Sequence, residues 1–217
     1  MKAQALVCIL AAAAMTAVTG KTETIKFDSA SPGSLPPGWT QAMTHKGGAP
    51  LWEVRKDDTA PSKPNVLAQL SNDRASGRFP LAIFGGASFK DGELSVKFKP
   101  ISGEEDQAGG MVWRYRDENN YYLTRANALE DNVNLYYVKD GRRKQITGWR
   151  GKVTSGSWRE LSVEATGDHL EVYWEGTRII DAHDKTFADA GKIGVWTKAD
   201  SVTYFDDLSA TALGGQP

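Results

Sequence analysis

The stretch WRELSVEATGDHLEVYWEG, residues 158–176, decides the fold. Leu161, Val163 and Ala165 alternate with charged Glu160 and Glu164, and Leu170, Val172 and Trp174 alternate with Glu171 and Glu175. A period of two with one charged face is that of half-buried antiparallel strands. Gly167-Asp168 between the two runs is a turn, because glycine accepts positive φ and Asp tolerates tight bends.

The same grammar extends in both directions. Strands are expected at 24–27, 51–55, 66–70, 81–84, 93–99, 110–116, 121–126, 133–138 and 144–149. They continue at 159–166, 170–175, 177–181, 192–196 and 202–209. Asp91-Gly92, Asp140-Gly141 and Glu175-Gly176 supply further turns. Many short strands at this spacing predict an all-β sandwich of two antiparallel sheets rather than βαβ units. Helix is limited to one turn near 185–188. Trp113, Leu135, Leu161, Val163, Leu170, Val172, Ile193 and Val195 are the expected core.

The N-terminus reads as an address. Lys2, an apolar run from Ala5 to Met15 and small residues to Gly20 match a secretory signal peptide, with cleavage after Ala17, Thr19 or Gly20. The run is shorter than the ~20 residues that span a bilayer. Cys8, the sole cysteine, lies mid-run after Leu6-Val7, which excludes a lipoprotein signal. The expected layout is a signal peptide at 1–20, one sandwich domain at 21–211 and a tail at 212–217, in a secreted or periplasmic monomer. Without Cys8 and Lys2 the chain has no disulfide or thiolate, and 25 basic residues stand against 27 acidic, a net charge of −2. That small charge argues against nucleic-acid or anionic-membrane binding.

Trp158-x-x-Leu161-x-Val163 with Gly167, Leu170, Val172 and Gly176, followed by Gly191–Trp196, resembles concanavalin A-like jelly rolls. Laminin-G-like and family 16 glycoside-hydrolase-like domains belong to that group. The segments FDSASPGSLPPGW (27–39), GGMVWRYRDENNYYLTRANALEDNVNLYYVKDGRR (109–143) and GVWTKADSVTYFDDL (194–208) are similar to exported bacterial proteins close to the 3-keto-disaccharide hydrolase domain family. The resemblance implies the jelly-roll fold. It leaves activity open, since the fold hosts lectins and hydrolases alike.

Family 16 hydrolases carry Glu-x-Asp-x-x-Glu on one strand, which places two carboxylates at the separation a retaining mechanism needs. That motif is absent; Glu171 and Glu175 share a face, with no Asp between. The richest segment is Trp113–Asn132. Aromatic faces stack on pyranose rings, while Arg, Asn and carboxylates bond hydroxyls. Arg114 and Arg116 are expected on the sheet's open face, opposite Met111, Trp113 and Tyr115. Leu123 is expected in the core, so Arg125, which shares its parity, needs a bulge to reach the open face. The expected carbohydrate site comprises Arg114, Arg125, Asn127, Glu130 and Asn132, bordered by Trp196, Lys198 and Asp200, with Glu130 the candidate catalytic group.

Asp28, Asp206 and Asp207, at the two chain ends, are candidate Ca²⁺ ligands, as is the acidic run Glu104–Asp106. His45, His169 and His183 show no His-x-His or His-x-x-x-His spacing, which argues against a His-based zinc site. No Gly-x-Ser-x-Gly elbow, phosphate loop or dinucleotide fingerprint occurs. A carbohydrate-binding, lectin-like module is the first reading. A hydrolase of the 3-keto-disaccharide type and a structural surface protein are the alternatives.

Overall fold

A computed structural model describes residues 22–213; the signal-peptide reading and Cys8 fall outside them. Fifteen strands make two wholly antiparallel sheets, and no helix occurs among the described residues. The strands are β1 (Thr22–Ile25), β2 (Trp39–Thr44), β3 (Trp52–Lys56), β4 (Asn65–Gln69), β5 (Phe79–Phe89), β6 (Gly92–Ser102), β7 (Ala108–Asp117) and β8 (Asn120–Asn127). The remainder are β9 (Asn132–Lys139), β10 (Arg142–Arg150), β11 (Arg159–Thr166), β12 (His169–Trp174), β13 (Thr177–His183), β14 (Gly191–Trp196) and β15 (Val202–Ala212). One sheet runs β13-β12-β11-β6-β15-β4-β3 with β1 beside β15; the other runs β10-β9-β8-β7-β14-β5-β2.

The expected turns form where the residues allow them. Asp140 and Gly141 take φ of 51° and 74°, and Glu175 and Gly176 take 50° and 74°, the double positive φ of tight hairpin turns. The eight expected core residues are all fully buried. The expected helical turn near 185–188 does not form. Asp184 accepts the Thr186 N–H and the Tyr122 hydroxyl hydrogen, and so pins this segment open across the sandwich edge.

The core between the sheets contains Phe98, Trp113, Tyr122, Leu135, Leu161, Val172 and Phe205. A second apolar layer covers the outer face of the seven-stranded sheet: Phe79, Leu81, Val112, Tyr115, Tyr121, Leu123, Tyr136 and Trp196. The sheet is therefore apolar on both faces, and the outer layer is the ground on which the site stands.

A bulge in β7 makes that layer continuous. Pairing between β7 and β8 shifts register between Trp113 and Asp117, and Arg114 sits at φ 47°. Residues 114–116 stand against Tyr121 alone, and the positive φ at Arg114 inverts the alternation beyond it. Tyr115, expected beside Trp113 in the core, lands on the outer face and stacks on Tyr121 with centroids 5.9 Å apart. Leu123 also belongs to the outer layer rather than to the core between the sheets, so Arg125 shares its face without a bulge in β8.

Candidate functional site

The site begins at the hairpin joining β8 to β9. Asn127 and Asn132 pair across its base. The Asn127 side-chain oxygen accepts the N–H groups of Leu129 (2.9 Å) and Glu130 (3.3 Å), a local turn that competes with strand extension and projects Glu130 outward. The other end of the same amide donates to Asp106 Oδ1 at 2.6 Å, and Lys198 binds the second Asp106 oxygen. Asn127 thus positions the turn from a buried place.

Arg125 lies nearly buried under this turn. It donates to Asn132 Oδ1, to Glu130 Oε2 at 2.8 Å and to the Tyr136 hydroxyl oxygen at 3.0 Å. Its Nε has no partner, an unusual debt for a buried donor. The Asn134 amide also donates to the Tyr136 oxygen, at 2.9 Å. That oxygen therefore accepts twice, and the hydroxyl hydrogen has no acceptor among the described residues. Gly110 permits the row: a Cβ there would meet Arg125 Cβ at 2.6 Å.

Beside this lattice opens a groove of about 550 Å³ lined by Glu130, Asn132, Asn134, Gln145, Trp149 and Arg150. Gly148 faces Asn134, and a Cβ at Gly148 would lie 1.9 Å from Asn134 Oδ1. Arg143, next along the same face of β10, caps the aromatic layer. Its guanidinium lies 4.6 Å from the Tyr136 ring centroid, 4.7 Å from Phe79 and 5.8 Å from Trp196. One of its terminal nitrogens is buried without a partner.

The electrostatics separate the two carboxylates. Burial works to raise the Glu130 carboxyl, but the Arg125 charge and hydrogen bonds from Asn132 and Arg125 outweigh it and hold it below the ordinary glutamate value. Glu130 is an anion at neutral pH, suited to accepting hydroxyl hydrogens and not to donating a proton. Burial raises Asp106 above its ordinary value despite Lys198. Asp106 lies under the lattice, not on the groove wall, with both oxygens engaged.

Of the residues expected at the site, Arg125, Asn127, Glu130 and Asn132 come together, and Lys198 joins them through Asp106. Three do not line an open face. The bulge turns Arg114 inward, where it donates to the carbonyls of Lys90, Phe187 and Gly167 and to Asp91. Trp196 is buried against Phe79 at 5.3 Å, beneath Arg143. Asp200 is buried as an acceptor for the N–H groups of Glu104, Glu105 and Asp106, so this acidic run is a turn tied to Asp200.

The candidate Ca²⁺ ligands are held by protein donors. Ser62 N–H bonds Asp206, Ser62 Oγ and Lys97 bond Asp207, and Asn65 N–H bonds Asp28. Burial, with the charges of Asp207 and Asp28, pushes Asp206 up to about 6 against two backbone N–H bonds. The oxygens of Asp28, Asp206 and Asp207 do not gather within 4.8 Å of one another, and the Lys97 ammonium already neutralises Asp207. This donor set does not fit Ca²⁺ in the form seen.

Asn134, Gln145, Trp149 and Arg150 were not anticipated. Asn134 shares parity with Asn132 on β9, a signal the sequence carries; the β10 residues enter through a register shift between Gln145 and Thr147.

No family model matches the chain. The levanase of Bacillus subtilis (strain 168) is 27% identical over 135 residues, a match covering 60% of this chain and 19% of the levanase. The chain therefore spans only a minor part of that enzyme. Among solved structures, the carbohydrate binding module CBM66 from Bacillus subtilis superposes with a TM-score of 0.64 at 22% identity, covering 80% of this chain and 96% of the module. A Bacillus licheniformis beta-glucanase gives 0.53 at 12% identity, over 89% of this chain and 99% of the enzyme. A Bacillus subtilis protein of unknown function with a galectin-like fold gives 0.55 at 12%, over 80% and 88%. The chain has the concanavalin A-like jelly-roll fold.

Proposed function

We propose that this protein is a secreted or periplasmic carbohydrate-binding, lectin-like β-sandwich that takes sugar in the groove between the β8–β9 turn and β10. The lattice of Arg125, Glu130, Asn132 and Tyr136 under an open polar groove carries this reading. A sugar ring presents hydroxyls that both donate and accept. The ionised Glu130 and the Asn134 and Gln145 carbonyls accept; Arg150 and the Gln145 amide donate, while Arg125 and Tyr136 hold Glu130, Asn132 and Asn134 in place from below. Trp149, half-buried at the β10 edge where it also packs against the core, borders the groove with apolar surface.

The similarity to levanase and to a carbohydrate binding module supports the reading and makes levan the first glycan to try. The hydrolase alternative needs an acid beside the anionic Glu130. Asp106 has the raised carboxyl such a role requires, but it lies under Asn127 and Lys198, away from the groove.

Affinity electrophoresis in levan, with a glycan array and a parallel hydrolysis assay on 3-keto-disaccharides, tests the proposal. Retardation by one glycan class, lost in Arg125→Ala, is expected. Retardation unchanged in Arg125→Ala, or absence of binding to every glycan, would overturn it. Turnover abolished by Glu130→Gln with affinity intact would replace it by the hydrolase reading.

A further inference from the structure

The outer face of the other sheet carries a second cluster, at the edge hairpin β12–β13. Leu170 and Val172 point into the core, so His169 and Glu171 point outward; Ile180 and Ala182 likewise face in, and Asp181 and His183 out. In the register of the hairpin His169 faces His183, and Glu171 faces Asp181. Four side chains able to bind a metal thus tile a two-by-two patch on neighbouring strands. Directly opposed residues have Cβ atoms ~5 Å apart, a span that short side chains close around one ion.

The side chains already converge. One ligand atom each from His169, Glu171 and Asp181 lies within 4.8 Å of the others, the only such trio among the described residues. His169 Nε2 lies 2.8 Å from Asp181 Oδ1. The His169 and His183 rings stack with centroids 4.7 Å apart and planes at 17°, so His183 lies beside the trio and reaches a shared ion by a side-chain rotation. Asp168 Oδ1 stands 3.5 Å from His183 Nδ1, the outer carboxylate that orients an imidazole toward a metal through its other nitrogen.

We propose that His169, Glu171 and Asp181 hold a divalent transition-metal ion of the Zn²⁺ class, with His183 the adjacent fourth ligand. Imidazole and carboxylate without thiolate suit Zn²⁺, Cu²⁺ or Ni²⁺; Ca²⁺ takes oxygen ligands alone. One group competes. Arg178 bonds Glu171 and lies 3.4 Å from Asp181, so its cation stands where the ion would. The Arg178 side chain is 53% exposed and withdraws into water at little cost. The site is separate from the sugar groove, and its fate is independent of that reading.

The test is titration calorimetry of the full, tag-free chain with ZnCl₂, with CaCl₂ in parallel and thermal melts at each point. One Zn²⁺ per chain and a raised melting temperature are expected. His169→Ala weakens binding by about 100-fold and His183→Ala by about 10-fold. Both positions are partly or well exposed, so both variants keep the fold. Arg178→Ala tightens binding several-fold, because it removes a competing cation; a merely structural Arg178 would not. Absence of saturable binding, equal affinity in His169→Ala and the wild type, weaker binding in Arg178→Ala, or Ca²⁺ binding as tight as Zn²⁺ would each overturn the assignment.

Discussion

Arg114 and Arg125 are both almost fully buried, on neighbouring strands of one sheet, and they do opposite jobs. Arg114 gives three bonds to main-chain carbonyls, of Lys90, Phe187 and Gly167, in three separate loops. The Phe187 carbonyl is buried and loses its partner if the guanidinium is removed, while those of Lys90 and Gly167 lie nearer the surface. Arg125 bonds only side chains, two of them at a partly open turn, and keeps one donor unpaired. A buried arginine spent on backbone holds loops together; one spent on the side chains beside a groove holds those side chains in place. Burial alone does not separate the two.

The contrast is sharpest in stability. Arg114→Ala leaves the buried Phe187 carbonyl unpaired and removes a fully buried side chain that ties three loops, and should cost about 2–4 kcal/mol in denaturant unfolding. Sugar affinity should be unchanged in whatever fraction remains folded. A small stability loss would break the comparison at its first term.

Arg125→Ala should do the reverse. Affinity falls by about 1.5–3 kcal/mol, the worth of charge-assisted hydrogen bonds, while unfolding free energy falls by less than about 1.5 kcal/mol, because Glu130 and Asn132 rehydrate. Lost stability with intact affinity would show the lattice to be structural. Arg125→Lys keeps the charge but loses the planar fork, and should weaken binding by about 1 kcal/mol. Full affinity in this variant would reduce Arg125 to a point charge.

The smallest effect is in pH. The Glu130 carboxyl lies below its ordinary value, so its contribution to the lattice is present above the unfolded value and lost as pH falls through the folded one. Affinity should hold from neutral pH down past the ordinary glutamate range and decline only below it. In Glu130→Gln that acid decline should vanish. A decline beginning near neutrality would point to a different group.

The sheet architecture was legible because alternation in Leu161–Ala165 and Leu170–Trp174 reports burial on one face directly. Arg114 was misplaced because parity carries only until a bulge, and nothing in Trp113–Arg116 announces that one residue there takes positive φ. Arg125, Glu130 and Asn132 were legible as a polar cluster in one hairpin. Asn134 repeats the parity of Asn132 and is legible by the same rule, whereas Gln145 and Arg150 come from a strand whose register shifts midway. The His169–His183 pair was illegible from linear spacing, since it is made by strand pairing across fourteen positions. Histidine motifs written for one helix or one strand miss ligands divided between two.

Gly148 carries one more consequence. It lies directly across the ladder from Asn134, and its missing side chain leaves room for that amide on the groove wall. A single missense change to alanine would displace the amide while leaving every backbone pairing possible. The shape of the groove wall thus hangs on the absence of one methyl group at an exposed edge-strand position, away from the packed core.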